Sequence, residues 1–173
     1  EPLTGEAKLE TWTFDGKVLG TKPLAMDVPA RTSKLLSRFP VASFGTAEER
    51  RGRFLAVTAE GCPDNDWQFQ YYRESDLAKA RIDVKTEVEG EGERWKVTLS
   101  TDKPAFFVWV DAPGVKGVFS DDSFTLLPGR PKTVTFTKRP SEKATFADFK
   151  RVLEVMHLRE SSANLTRESA KNQ

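Results

Sequence analysis

The chain has 173 residues, of which 27 are Lys or Arg and 26 are Asp or Glu, so its formal net charge is +1. This balance gives no electrostatic basis for binding nucleic acid or an anionic membrane surface, and we expect neither as a partner. The hydrophobic fraction of 38%, with 12 Phe and 4 Trp, indicates a folded protein with a real core. One Cys excludes an internal disulfide and one His excludes a histidine-cluster metal site, so we expect no cofactor.

The apolar residues mostly repeat with a period of two, which is typical of strands buried on one face. Turn signals separate these segments, among them Asp15-Gly16, Pro113-Gly114 and Pro128-Gly129. Many short strands without helical crossovers predict antiparallel β-sandwiches. In chain order, the predicted strands are 8–14, 24–28, 53–58, 67–71, 82–88, 95–99, 104–110, 123–127 and 133–137.

One short helix is predicted at about 146–153. Thr145 and Asp148 form a pair that resembles a capping box, and an apolar stripe with spacings of three and four follows them. The stripe consists of Phe146, Phe149, Val152 and Leu153. For residues 154–158 the pattern leaves two alternatives open, a continuation of the helix or an extended edge strand.

A change in composition near residue 78 divides the sequence into two predicted domains, 1–78 and 79–160. The second domain holds six or so strands and the helix, close to what a small sandwich of about 100 residues needs. The first has too few strands for a closed sandwich, and a domain of about 60 residues is marginal even when complete. We therefore expect the first domain to be incomplete and the chain to be a fragment of a longer polypeptide.

The sequence also gives expectations about membrane segments, the C-terminal tail and glycosylation. No apolar run reaches the ~20 residues of a membrane helix, and the first ten residues lack the basic start and apolar stretch of a signal peptide. The polar segment 161–173 is expected to be a mobile tail. Within it, Asn164-Leu165-Thr166 fits the N-glycosylation pattern, which favours a secreted or lysosome-like or vacuole-like location.

The segment from 105 to 136 carries the most recognisable motif, reading AFFVWVDA and then, from Gly117, GVFSDDSFTLLPGRPKTVTF. It resembles the C-terminal immunoglobulin-like domain of β-mannosidases in glycoside hydrolase family 2. Val118 stands where Arg is common in that family, and Asp122 where Asn is common. Residues 15–19 and 28–34 are similar to the second part of the mannosidase immunoglobulin-like domain that comes just before it.

This resemblance covers about 7–158 and implies an all-β fold: two immunoglobulin-like sandwiches, the first incomplete, with a short C-terminal helix. It implies that the two sandwiches follow a (β/α)₈ catalytic barrel, which is not in this chain, and that they buttress it. The partner would be the N-terminal catalytic portion of the same enzyme. That portion would bind a β-mannoside or oligosaccharide and release terminal β-linked mannose with retention.

Three alternatives remain. The parent enzyme could be an exo-β-glucosaminidase or an endo-β-mannosidase, because a C-terminal domain does not encode the sugar pocket. A different class of answer is a stand-alone carbohydrate-binding or adhesion sandwich. In the resembling family the catalytic acids are glutamates on barrel strands, and no position here matches their motifs. We therefore assign no catalytic residue and expect the chain alone to be inactive.

A few side chains are candidates for chemistry on residue type alone. Asp121-Asp122 offers two carboxylates, but neighbours in Ser-Asp-Asp-Ser more often cap turns. His157 is the only candidate general base, and a packed or surface role is favoured. Cys62 is expected to be an inert thiol. The Asp64-Asn65-Asp66 cluster has calcium-type oxygen atoms without the rest of a ligand loop, so we expect no metal there.

The four Trp residues are candidates for stacking on sugar rings. Alternation along strands predicts instead that Trp67, Trp95 and Phe69 pack in the core. Trp109 is expected to lie on the side opposite Phe106 and Val108, next to Asp111. It is therefore the best candidate for an interdomain or sugar contact.

Overall fold

The computed structural model describes residues 1–90 and 92–161. Asn164 and most of the predicted tail lie outside these described residues. The chain divides after Leu77 into two compact units. Antiparallel strands form most of the regular structure, which confirms the predicted all-β class. Within the described ranges, no helix has the length and apolar character needed to span a bilayer.

The first unit contains one four-stranded sheet in its described residues, with strand order β2-β1-β3-β4. Its strands are β1 (Leu3–Thr13), β2 (Val18–Val28), β3 (Arg53–Ala59) and β4 (Asn65–Gln68). Strand β2 begins six residues before the predicted start, because β1 and β2 pair as a long hairpin around the Asp15-Gly16 turn. Gly16 has φ 99°, a conformation that glycine adopts without steric cost.

One face of this sheet is covered by the connection between β2 and β3. This connection contains two 3₁₀ helices, Val41–Phe44 and Glu49–Gly52. Phe44 of the first 3₁₀ helix is buried with Leu9 and Leu55 in a small apolar cluster, and Leu24, Phe39 and Phe69 pack against it. In the part of the chain that the structure describes, the first unit is thus a sheet with a covering loop and lacks the second sheet of a sandwich.

The second unit is a sandwich of two antiparallel sheets, with strand orders β5-β6-β10-β8 and β11-β7-β9. Helix α1 of this unit spans Phe146–Val152. The strands are β5 (Ile82–Glu89), β6 (Arg94–Thr101), β7 (Ala105–Asp111), β8 (Gly117–Phe119), β9 (Phe124–Leu126), β10 (Lys132–Lys138) and β11 (Glu154–Met156).

Helix α1 begins at the predicted capping box. The Thr145 hydroxyl accepts a hydrogen bond from the Asp148 N–H at 3.2 Å, and the Asp148 carboxylate accepts one from the Thr145 N–H at 3.0 Å. The predicted stripe faces the core: Phe149 is fully buried, and Phe146, Val152 and Leu153 pack against the core cluster. The predicted helix and its buried face are therefore confirmed.

The sequence left open whether residues 154–158 continue the helix or form an edge strand, and the structure shows a strand over Glu154–Met156. Leu153 ends the helix in an extended conformation, and its N–H donates to the Phe149 carbonyl. The chain then enters β11, which pairs antiparallel with β7 so that Val155 lies opposite Val110. The segment from α1 to β11 thus packs on one sheet and extends the other.

A β-bulge in β7 corrects one expectation. Ala105 pairs with Leu126 and Val108 with Phe124, so three steps along β7 match two along β9. Ala105 and Val108 both enter the core cluster. Phe107 has φ 49° within the bulge. The expectation that Phe106 shares a face with Val108 is therefore wrong, because the bulge shifts the alternation by one residue.

The packing of Phe149 generates a stability prediction. Its ring centroid lies 4.7 Å from that of Trp95 and 4.9 Å from that of Phe136. We expect Phe149→Ala to lower the free energy of unfolding by about 3–5 kcal/mol, because it removes a buried ring and leaves a cavity. Val118→Ala, at a side chain that is 64% exposed, is the control and should change it little. Equal unfolding midpoints in urea for the two variants would contradict this packing.

Gly117 generates a second prediction. It opens β8, a strand that the alternation pattern did not predict, and a Cβ there would collide with the Phe136 ring and lie 2.7 Å from the Thr137 carbonyl oxygen. Gly117→Ala should therefore destabilise the protein by about 1–3 kcal/mol through overpacking. Gly20→Ala is the matched control, since nothing lies within 4 Å of its added methyl group. Thermal unfolding of both variants measures the difference, and a harmless Gly117→Ala would refute the close approach.

Candidate functional site

The acidic pair Asp121-Asp122 lies in the turn between β8 and β9. The Asp122 carboxylate accepts hydrogen bonds from the N–H groups of Ser123 at 2.8 Å and Val110 at 3.3 Å. The Asp121 carboxylate accepts from the Asp122 N–H and forms an ion pair with Lys132. These two carboxylates hold the turn and tie it to β7, as the sequence predicts for neighbouring acids in a polar turn.

His157 is buried just after β11, so of the packed and surface roles that the sequence left open the structure shows the packed one. Its side chain is only 2% exposed. The Nε2 atom lies 3.3 Å from the Ala80 carbonyl oxygen and 3.7 Å from the Glu160 carboxylate. The imidazole therefore links the segment after β11 to the segment before β5, and its ring nitrogen is directed at a structural carbonyl group.

In the Asp64-Asn65-Asp66 cluster, the Asp66 carboxylate is hydrogen-bonded to neighbouring side chains. The Asp66 carboxylate accepts hydrogen bonds from the Tyr72 hydroxyl at 3.1 Å and from the Gln68 amide at 3.0 Å. Partial burial, and then the adjacent Asp66 charge, raise the pKa of the Tyr72 hydroxyl, so this phenol stays a donor. Among the described residues, no group of three or more metal-binding side chains occurs. Cys62 is a partly exposed free thiol.

The four Trp residues divide into buried and accessible groups. Trp95 is 1% exposed and stacks on Phe136 at 5.6 Å, as predicted. Trp12 is also buried, and its indole N–H donates to the Glu10 carboxylate at 3.1 Å. Neither indole presents a face that a sugar ring could reach.

Trp67 corrects the prediction of a core position, because its side chain is 52% exposed. Strand β4 is the edge strand of the first sheet, so Trp67 has a neighbouring strand on only one side. Its ring contacts Phe69 edge-on at 4.9 Å, and Phe69 turns inward to pack on the buried cluster. Alternation correctly identified the apolar face, but it carried no information on how far the covering loop extends.

Trp109 lies on β7, where Met156 of β11 is its cross-strand neighbour. Its side chain is partly buried, and it alternates with Val108 and Val110, which are in the core. Trp109 is thus on the outward side of its sheet, as alternation after the bulge requires. Its role as an interdomain or sugar contact stays a prediction.

The carboxylates of the second unit act mainly as anchors for loops. Asp102 accepts from the Arg81 N–H at 2.7 Å, and Glu142 accepts from the N–H groups of Lys116, Lys143 and Ala144. Backbone hydrogen bonds favour the ionised forms, so the pKa values of Asp102 and Glu142 are lowered. Asp102 and Glu142 therefore stabilise loops of the second unit.

These anchors generate a pH prediction. Because the pKa of Glu142 is lower in the folded chain than the ordinary value of 4.5, its contribution to stability is present above that value and is lost as the pH falls below it. We expect the free energy of unfolding of the parent chain to decrease as the pH falls below about 4.5. The free energy of unfolding of the Glu142→Gln variant should decrease less steeply over the same range, because the variant lacks this carboxyl group. Urea unfolding from pH 7 to pH 3 measures both slopes. Equal slopes for the variant and the parent would contradict this role of Glu142.

The second unit of the chain matches a known protein family. Residues 77–161 match the Ig_mannosidase family, which is described as an Ig-fold domain. No curated protein sequence is significantly similar to the chain.

Several solved structures are similar to the chain. One is the β-D-mannosidase from Dictyoglomus thermophilum, with a TM-score of 0.75 and 20% identity over 91% of this chain and 19% of that enzyme. The exo-chitosanase CsxA from Amycolatopsis orientalis is more distant, with a TM-score of 0.44 and 13% identity over 91% of this chain and 24% of that enzyme. The chain thus spans about a fifth of the length of the mannosidase it matches. The sandwich of the second unit, together with the family match over 77–161, shows that this unit is an Ig-fold domain of the mannosidase type.

Proposed function

We propose that this chain is the C-terminal, non-catalytic portion of a β-mannosidase-like exo-glycosidase, and that it buttresses the catalytic barrel of that enzyme. The observation that carries the proposal is the family match of the second unit to mannosidase-type immunoglobulin folds. The parent enzyme would hydrolyse terminal, non-reducing β-D-mannose residues with retention of configuration. The partner of the chain is then the catalytic portion that precedes it in the same enzyme.

The chemistry of the described residues supports a buttressing role. A retaining glycosidase needs two carboxyl groups about 5–5.5 Å apart on opposite sides of the sugar, one as nucleophile and one as acid/base. The best-placed acidic pair, Asp121-Asp122, instead holds the turn before β9 through backbone hydrogen bonds. The only histidine is buried against the Ala80 carbonyl group. These residues stabilise a sandwich, and the sugar chemistry belongs to the catalytic portion.

A buttress acts by keeping its neighbour in one conformation. Catalysis depends on positioning reacting groups to within a fraction of an ångström, and a displacement of about 1 Å can cost a hundredfold in rate. A rigid sandwich beside a barrel restricts the loops that carry its active site. The dense ring cluster of Trp95, Phe136 and Phe149 gives the second unit the rigidity that this role requires.

Complementation of a truncated enzyme tests the proposal. The purified chain is assayed with p-nitrophenyl β-mannoside alone, and again after mixing with the separately expressed preceding portion of its parent polypeptide. We expect no turnover by the chain alone, and an increase in activity or heat resistance of the catalytic portion when the chain is added. The Phe149→Ala chain is the matched control, and it should restore less.

The outcomes separate the alternatives. Turnover by the chain alone would overturn the non-catalytic role. A catalytic portion that is equally active and stable without the chain would overturn the buttressing role. Faster hydrolysis of p-nitrophenyl β-glucosaminide than of the mannoside by the assembled enzyme would assign the parent to the glucosaminidases. Tight binding of mannan by the chain alone would favour a carbohydrate-binding module.

A further inference from the structure

The inner face of strand β5 is incompletely covered. Val84 lies opposite Leu99 and Val88 lies opposite Trp95, so their side chains point to the core side of the sheet. Leu99 and Trp95 are 0% and 1% exposed, whereas Val84 and Val88 are 41% and 46% exposed. Two valines on the inward face of an edge strand are therefore accessible to solvent, although alternation predicts that they are buried.

The cause is the short edge of the opposite sheet. That sheet ends in β11, which has only three residues against the eight of β5. Helix α1 precedes β11, and together they leave a groove of about 680 Å³ beside β5.

The walls of the groove are aliphatic and its rim is cationic. Ile82 and Val84 line one side, and Leu153 and Val155 line the other. The Lys, Arg and Glu residues of the lining are Lys79, Arg81, Lys150 and Glu160, so three cations face one carboxylate. Arg81 lies 3.5 Å from the Asp83 carboxylate, but both side chains are mostly exposed, so this ion pair is weak.

We propose that this groove binds an extended, acidic peptide segment that carries aliphatic side chains and adds along the edge of β5. β5 is an edge strand, and an edge strand offers main-chain groups to an incoming strand. Alternate side chains of such a segment would cover Ile82 and Val84, and its carboxylates would meet Lys79, Arg81 and Lys150. The proposal does not depend on which glycosidase the chain belongs to.

The lining favours a peptide over a sugar. Carbohydrate sites commonly stack sugar rings on aromatic side chains. Among the described residues that line the groove, none is Phe, Tyr or Trp. An extended peptide suits the two-residue spacing of Ile82, Val84 and Thr86 along β5, because its own side chains repeat with the same period.

The test uses the full chain, labelled with ¹⁵N, and three probes at low salt. The first is a seven-residue peptide of alternating Glu and Val with blocked ends, the second its Lys-for-Glu counterpart, and the third mannohexaose. We expect the acidic peptide to cause saturable shifts of amide resonances in 82–88 and 153–156, and to bind more weakly as salt is added. Absence of saturable shifts there, equal binding of the basic peptide, or shifts caused there by mannohexaose alone would overturn the proposal.

Matched variants locate the binding. Val84→Glu places a like charge in the groove and should weaken binding of the acidic peptide at least about tenfold, a difference of about 1.4 kcal/mol. Val118→Glu makes the same change at an exposed valine on β8, the opposite edge of the same sheet, and should leave the affinity unchanged. Lys150→Glu, at an exposed side chain, should also weaken binding. Equal affinities for all three variants would contradict binding in this groove.

Discussion

The contact of the Phe149 ring with Trp95 and Phe136 is the interaction on which the second unit depends. Trp95 is on β6 and Phe136 on β10, the two central strands of the four-stranded sheet. Through Phe149, helix α1 is anchored to this sheet, and five residues after Phe149 the chain joins β7 of the opposite sheet as β11. One short segment therefore connects both layers of the sandwich.

The same segment determines where the sandwich is open. Because α1 ends at Val152 and β11 spans only three residues, the layer opposite β5 is too short to cover Val84 and Val88. A closed edge would need a longer strand in place of the helix, and then Phe149 would not reach the core. The aromatic anchor and the open groove are thus two results of one topology, and both belong to a domain whose family is associated with mannosidases.

The sequence predicted those features that depend on local chemistry. The capping box at Thr145 and Asp148 located the helix, and alternation placed Trp95, Val97 and Leu99 in the core because each is on a central strand with neighbours on both sides. The misses arise where coverage depends on distant parts of the chain. Trp67 and Val84 alternate correctly but lie on edge strands, and the bulge at Phe107 shifts the alternation with no Gly or Pro to mark it. For the groove, no local signal exists, since it results from the length of β11 relative to β5.

The central claim is that the α1–β11 segment unites the two sheets into one cooperative core. Hydrogen exchange of the full chain, followed by mass spectrometry with and without Phe149→Ala, tests it most directly. The account predicts that the variant loses amide protection together in β6, in β10 and in β7, because the anchor shared by both sheets is gone. Loss of protection confined to 145–156, with β6, β10 and β7 unchanged, would show that the helix is an appendage and would contradict the account.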